Sequence, residues 1–532
     1  MLKSGRGVVL IGFEDQENLG LRGIAAHLQK HGIGAAVVPF NLPKTRILSE
    51  IRKAKPAIVG FSLIFQRFFF DFRDLIAYLR DKGISAHFTM GGHFPSMDYR
   101  ETLENIPGLD SVVRFEGEET LVELCRKIAE PDEWAAIRGL AFRRNGRLEV
   151  NPPRPLIADL DSLPLPLRDK KMASHRGLGV RSILASRGCY HNCSFCSIHQ
   201  FYREPPGPLR RTRSPSHVVR EMEALFHDCH ARVFIFQDDD WFMKGRAHAA
   251  WIEDFIGALE RSSIREQVAW RISCRIDDLR ADLLGKMKDA GLLCVYLGIE
   301  SGNDRGLQVF NKHFTVDDVH RAIELLRHVG MPFEFGFMIF DPESTFKTVL
   351  ENIRFLERIT EDGRTIAGFS KMVPYAGTAI AAKLKEEGRL KGTIASPDYG
   401  FRDPRLDALQ LIASRTFNYR NFDREGLVER LRLAKFDVLI LRKFFPNRQD
   451  AEVYGAEVGN LIRRSNAAAL ECFSLMAEFM KTRTEDEIYA LWPFLETLRQ
   501  EEHETEDRIA SQLDRLESSF RDAGDPARIN FE

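Results

Sequence analysis

The chain has 532 residues, 44% hydrophobic and 29% charged, with 76 Lys and Arg against 77 Asp and Glu. That length divides into several domains at about 150 residues each, and the charge balance offers no overall basic field to attract nucleic acid. No apolar run reaches bilayer-spanning length, and the start, MLKSGRGVVLIGFED, passes from apolar residues straight to acids without a cleavage pattern, so a cytoplasmic protein without a membrane span is expected.

The first 150 residues alternate short apolar strands with helical stretches. GVVLIGF (7–13), GAAVVPF (34–40), PAIVGFSL (56–63), SAHFTMGGH (85–93) and LDSVVRFEGEE (109–119) read as buried strands, with GLRGIAAHLQKHG and FFDFRDLIAYLRDKG as helices between them. The alternation predicts a doubly wound, Rossmann-like parallel sheet, whose ligands sit outside the carboxyl ends of the strands. Those ends are small and glycine-rich, but no G-x-G-x-x-G follows the first strand, so the dinucleotide fingerprint is missing. Residues 151–175 carry five prolines between 152 and 166 and read as a stiff, extended linker.

SRGCYHNCSFCSIHQFY (186–202) then places three cysteines within eight residues. In a reducing compartment eight cysteines are not a disulfide framework. Cys125, Cys229, Cys274, Cys294 and Cys472 are scattered and read as small buried apolar residues. A C-x3-C-x2-C triplet would arise by chance in about two chains per thousand of this composition. Structural zinc wants four ligands, usually as two pairs, and no second C-x2-C exists, though His191 or His199 can complete the set, so zinc stays open. A four-iron cluster takes one thiolate per iron, so three cysteines leave one iron open to a small molecule.

Around the triplet, VRSILASRG (180–188) reads as a strand, and RSPSHVVREMEALF (213–226) as a helix with Ser214 as N-cap and Pro215 at its first position. Further strands follow in ARVFIFQDDDWF (231–242), QVAWRISCRIDD (267–278), LCVYLGIESGND (293–304), FEFGFMIFDPEST (333–345) and IAGFSKMVPYAGT (366–378). DLLGKMKDAG and VDDVHRAIELLRHVG read as helices between them, the second capped by Gly330. This predicts a partial β/α barrel over 176–400, with its chemistry at the carboxyl ends of the strands. Residues 401–532 read as a helical domain. In it, RQEEHETEDRIASQLDRLESS is expected to be a solvated amphipathic helix, and the aromatics of ASRTFNYRNF (413–422) and KFFPN (443–447) to be core or a cover for the barrel mouth.

Cys189, Cys193, Phe195 and Cys196, with their strand and helix, resemble the cysteine motif of radical SAM enzymes. The resemblance implies a [4Fe-4S] cluster on the three cysteines, whose open iron binds the amino and carboxylate groups of S-adenosylmethionine (SAM). GIESG (298–302) resembles the family's fourth-strand motif, which makes Glu300 a contact to the SAM ribose or amino group and a catalytic candidate. RISCRID resembles the third strand, with Ser273 and Arg275 as SAM or carboxylate contacts, and QDDD (237–240) offers Asp238 or Asp239 to the pocket. YAGT (375–378) resembles a family Y-P-G-T turn, with Ala376 in place of proline.

The first 150 residues resemble the cobalamin-binding domain that precedes the barrel in one branch of this family. Ser62 and Leu63 match its Ser-x-Leu-like turn, and Gly91 and Gly92 the GG that admits the corrinoid's nucleotide tail. RFEGEET, with Glu116, Gly117 and Glu118, resembles its G-E-G-E-x-T stretch, Phe115 replacing the first glycine, and DLDSLPLPLRD (159–169) resembles its interdomain connection. Many such domains carry D-x-H-x-x-G after the first strand. Here the stretch is Asp15-Gln16-Glu17-Asn18-Leu19-Gly20, with glutamate where the cobalt-ligating histidine would stand. Cobalamin bound without histidine is therefore expected, with the lower face of cobalt open, water-bound or covered by Gln66 or Arg67.

The branch implies a methyltransferase moving a methyl group from SAM via methylcobalamin to a carbon of a small-molecule or peptide substrate. An external electron donor such as flavodoxin or ferredoxin is implied with it, and a monomer is expected. A cyclisation or rearrangement, a polar methyl transfer, and a non-catalytic iron–sulfur electron-transfer or regulatory role stay as alternatives. RNA methylthiolation is disfavoured, because the amino-terminal domain lacks extra cysteines and the tail lacks a basic module.

Overall fold

Five apolar stretches near the amino terminus form parallel strands in a computed structural model that describes residues 7–169, 173–242 and 245–522. They are β1 (Val8–Gly12), β2 (Ala35–Pro39), β3 (Ile58–Ser62), β4 (His87–Gly91) and β5 (Ser111–Val113), joined by an antiparallel hairpin of β6 (Leu140–Arg144) and β7 (Arg147–Val150). The order β2-β1-β3-β4-β5-β6-β7 reverses beside β1, the switch point where doubly wound sheets open a crevice. Register aligns Gly12 with Ser62 and Ser62 with Gly91, so the carboxyl ends form one row. Both sheet faces are apolar cores, one built around Phe61, Phe72 and Phe88, the other around Leu10, Leu28 and Leu124. The hairpin is absent from the sequence reading. Its turn, Asn145-Gly146, has φ of 53° and 76°, the left-handed pair that a two-residue hairpin requires.

A second sheet begins with the antiparallel pair β8 (Ala173–His175) and β9 (Leu178–Ile183). After it, β10 (Ser186–Arg187) and β11 (Arg211–Thr212) make a separate two-stranded ladder that closes the cysteine loop at its base. The second sheet continues with β12 (Ala231–Phe236), β13 (Ala269–Cys274), β14 (Leu292–Glu300), β15 (Phe333–Phe340) and β16 (Ser370–Lys371). Its order, β16-β15-β14-β13-β12-β9-β8, is an open row, so the barrel is partial. The crossover helices carry the expected punctuation. Ser214 Oγ accepts from the His217 N–H, and Val316–Val329 has a Thr315/Asp318 capping box and ends on Gly330 at φ 67°.

Contacts divide the chain into two compact units. One combines the amino-terminal 171 residues with 182–221 and 373–398; the other contains 172–181, 222–372 and 399 onward. Residues 170–172, in the expected linker, and the first six residues of the stretch read for a targeting signal lie outside the described residues. Among the described residues no helix is long and apolar enough to cross a membrane.

In the second unit the helix Leu427–Phe444 covers the amino-terminal ends of the strands. Ile440 packs with Leu178, Val233, Ala269 and Leu293, and Lys435 Nζ donates to the Phe333 carbonyl at 2.8 Å. The helix Trp492–Asp522 departs from its expected solvated character: Ile509, Leu513 and Phe520 join the helical core, and Glu502 is buried. Phe417 is core, against Phe369 and Phe473, whereas Tyr419 and Phe422 are exposed.

Candidate functional site

At the carboxyl edge of the first sheet the residues of the cobalamin resemblance lie on the loops after β1, β3 and β4. Asn18 is the N-cap of the helix Leu19–Lys30, its Oδ1 accepting from the Leu21 N–H at 3.0 Å. Glu17 accepts from Arg168 at 2.9 Å and from the Ser182 N–H at 3.0 Å, so the carboxylate in the histidine's place is already engaged. Gly20 is exposed and Leu19 buried at the start of the same helix. Leu63 donates its N–H to the Gly91 carbonyl. Gly92 lies at φ 116°, and a Cβ there would fall 2.3 Å from the Leu63 carbonyl oxygen, so only glycine fits this turn. Gln66 is buried, its Oε1 accepting from the Ala376 N–H and its Nε2 donating to the Ile394 carbonyl. Arg67 is exposed, its guanidinium 4.4 Å from the Phe68 ring centre. Beside it Phe13 meets Phe40, Phe65 and Phe68, an aromatic patch with Phe65 54% exposed.

The cysteine loop belongs to this same unit. Cys189, Cys193, Phe195 and Cys196 are half-buried, and the Cys196 N–H donates to the Cys193 carbonyl. The other cysteines differ. Cys125, Cys274, Cys294 and Cys472 are buried, and burial pushes the Cys125 and Cys472 thiols to about 12 and that of Cys294 to about 11, so they are inert. Cys229 is half-buried, a departure from the expected burial. Gly188 sits at φ 86°, where a Cβ would fall 1.9 Å from the Leu209 carbonyl oxygen. Further along, Ser194 accepts from the Ile380 N–H, which ties the helix Ala379–Glu386 to the loop. In YAGT, Gly377 lies at φ 79° and Thr378 caps that helix.

Glu116 and Glu118, read as corrinoid contacts, have arginine partners. Glu116 accepts from Arg187 at 3.1 Å, from Arg211 at 2.9 Å and from the Ile157 N–H at 2.8 Å, and Glu118 accepts from Arg187 at 2.7 Å. Burial, the largest single influence, draws the Glu118 carboxyl upward, but the Arg187 charge, the hydrogen bond from Arg187 and a backbone hydrogen bond together hold the group below its ordinary value. Gly117 stands between them at the N-cap of Glu118–Lys127.

In the second unit the polar side chains gather at the carboxyl end of the half-barrel. Asp238 is buried and Asp239 exposed on the loop after β12, and the Trp241 N–H donates to the Ser273 carbonyl. Ser273 is half-buried near the end of β13. Arg275 is buried and bonded to Asp277 at 2.9 Å and to the Lys312 carbonyl. Glu300 ends β14 at φ 71°, where the pairing with β15 shifts register. A non-glycine residue in this region stores about 1–3 kcal/mol of strain, a feature that clusters at functional sites. Lys312 Nζ, buried, lies 3.5 Å from Glu300 Oε1.

Two glycines make room for that carboxylate. Gly298 and Gly336 are register partners, and a Cβ on Gly336 would fall 3.0 Å from the Tyr296 hydroxyl and 3.3 Å from Glu300 Oε2. The turn after Glu300 is fixed by Asn352, whose Oδ1 accepts from the Gly302 N–H at 2.8 Å and from Asn303 at 2.9 Å. Lys312, Asn352, Arg187 and Arg211 were missed in the sequence. Only the N-K-H run around Lys312 offered a local sign, because the others act mainly through partners far along the chain, 50, 69 and 95 residues away for Asn352–Gly302, Arg187–Glu118 and Arg211–Glu116.

The residues fit the implied groups on two observations. The triplet thiols are half-exposed while four of the other five are buried, as cluster ligation needs, and Gly92 keeps a tight, side-chain-free turn at the sheet edge.

Comparison with known proteins follows this division. The B12 binding domain family matches residues 6–125 and the Radical SAM superfamily matches residues 183–356. An uncharacterized methyltransferase of Pyrococcus horikoshii is 28% identical over 345 residues, 64% of this chain and 72% of its own length. The anaerobic magnesium-protoporphyrin IX monomethyl ester cyclase of Cereibacter sphaeroides is 31% identical over 308 residues, 56% of this chain and 48% of its own. The solved structure of the cobalamin-dependent radical enzyme OxsB, with aqua-cobalamin and SAM bound, has a TM-score of 0.70 at 15% identity, covering 99% of this chain and 82% of that one. With one family over the first sheet and the other over the cysteine loop and half-barrel, the chain belongs to the cobalamin-dependent radical SAM enzymes, with a [4Fe-4S] cluster, SAM and cobalamin as its cofactors.

Proposed function

We propose that this enzyme moves a methyl group from SAM, by way of cobalamin, to a carbon of a small-molecule or peptide substrate. The supporting observation is that the cysteine triplet and the cobalamin-type sheet edge share one compact unit. When bound, the cluster would supply the electron for SAM and cobalamin would carry the methyl group. The chain's own part is positioning and exclusion of water. Cys189, Cys193 and Cys196 would hold the cluster, and Glu300, with Lys312 beside it, would be the carboxylate to meet the ribose or amino group of SAM. Ser273, Asp238 and Asp239 line the same end of the half-barrel, with Arg275 bracing it through Asp277. Phe13, Phe65 and Phe68 form an apolar patch at the sheet edge that would keep water from a bound corrinoid, and with Glu17 and Gln66 engaged, the exposed Arg67 is a polar side chain that could approach it. An external one-electron donor of flavodoxin or ferredoxin type serves a monomeric enzyme.

Anaerobic protein given SAM and a reductant should form 5′-deoxyadenosine and S-adenosylhomocysteine; absence of both would leave only an electron-transfer or regulatory role. Replacing all three cysteines with alanine should abolish iron absorbance and SAM cleavage but leave cobalamin uptake intact. Cob(II)alamin on the protein should show no nitrogen superhyperfine splitting in its electron spin resonance spectrum. A second reading, ring closure without methyl transfer, is supported by the cyclase at 31% identity; 5′-deoxyadenosine without S-adenosylhomocysteine would favour it.

A further inference from the structure

The segment Arg114–Glu118 faces the cysteine loop with nearly every side chain. Arg114 pairs with Glu204. Phe115 lies at φ 65°, in the place where related motifs keep glycine, with its ring 5.5 Å from Phe201 and buried among Leu156, Phe201 and Tyr202. The left-handed backbone explains why glycine suits the position, and the ring contact explains why this chain accepts the strain. Glu116 and Glu118 then grip Arg187 and Arg211, which face each other across the β10–β11 ladder at the neck of the loop. Three of these four charged side chains are less than 10% exposed, and Arg187 is 18% exposed. Buried pairs of this kind favour one geometry, because breaking either partner leaves a charge without compensation.

We propose that Arg114–Glu118 is a cradle for the cluster loop, in which Glu116 and Glu118 are positioning residues that set Arg187, two residues before Cys189, and thereby the open iron corner. The inference rests on the cluster reading above but not on methyl transfer, since its test is read from binding and spectra. In protein reconstituted with cluster and cobalamin, Glu118→Gln should bind hydroxocobalamin within about twofold of the parent. The SAM concentration giving half the change in the reduced cluster's electron spin resonance spectrum should rise tenfold or more. Glu118→Asp, which keeps the charge, should recover to within about threefold. Phe115→Gly relieves the left-handed backbone strain while giving up the ring's packing; it should raise the SAM requirement in the same way, and, checked for a folded state by circular dichroism, it decides the matter should Glu118→Gln prove insoluble. A tenfold loss of cobalamin affinity with an unchanged SAM response would return the acids to the corrinoid. No change in either property, or equal loss of both, would overturn the cradle as well. Absence of any cluster spectrum in the parent would instead sink the reading beneath it.

Discussion

Glu300 is held in a strained backbone conformation by its surroundings, and the neighbouring glycines show how little room it has. Gly336→Ala would place a methyl group 3.0 Å from the Tyr296 hydroxyl and 3.3 Å from Glu300 Oε2. The backbone of Gly336 is not left-handed, so the cost to the fold comes from overpacking alone, about 1–3 kcal/mol, whereas the displaced carboxylate should weaken SAM binding about tenfold, as isothermal titration will show. The Glu300–Lys312 pair tests the same corner from the other side. Glu300→Gln deprives a buried ammonium of this carboxylate and should destabilise the protein by about 2–3 kcal/mol in urea titration. The double variant with Lys312→Met should recover part of that loss, because the buried ammonium is then gone as well.

At the scale of elements, Asn352 joins the helix Phe346–Thr360 to two strand ends, accepting from Ser301, Gly302 and Asn303 and donating to the Ile339 carbonyl at 3.0 Å. Asn352→Ala would orphan several buried polar groups and should cost about 2–3 kcal/mol, with a fall in melting temperature and in SAM affinity together. Elements governed by local chemistry were legible. The Val316–Val329 helix announced itself through Thr315, its amphipathic spacing and Gly330, and the cysteine loop through its spacing. The β6–β7 hairpin carried a readable Asn-Gly turn, but its flanking arginines hid the alternation. The Trp492–Asp522 helix misled for a different reason: charge density suggested solvent, while Glu502 and Glu506 turn inward beside the fully buried Arg420. Nothing local in a sequence tells which glutamate of a charged helix meets a partner 80 residues away.

Those two glutamates set a property of the whole molecule. Burial pushes Glu502 up to about 8 and Glu506 up to about 7, against the opposing charge of Arg420. Between about pH 4.5 and 8 the folded carboxyls therefore keep protons that the unfolded chain has released. Stability falls as pH rises through that window, by up to about 1.4 kcal/mol per pH unit for each such proton, and levels off above it. Thermal melting from pH 5 to 9 should show the decline, and Glu502→Gln should flatten it. At this scale the three regions of the chain were legible from composition and periodicity. The assignment of 182–221 and 373–398 to the first unit was not, because strand spacing carries no record of buried charge pairs such as Glu116–Arg211. That partition has a practical reading for anyone recombining related enzymes. A chimaera meant to exchange substrate specificity should inherit the cysteine segment and the stretch through Ala376 from the corrinoid donor, and take only the remaining strands and the carboxyl-terminal helices from the other parent. Cutting instead at the proline-rich junction near residue 160 would separate Arg187 and Arg211 from the acids they pair with.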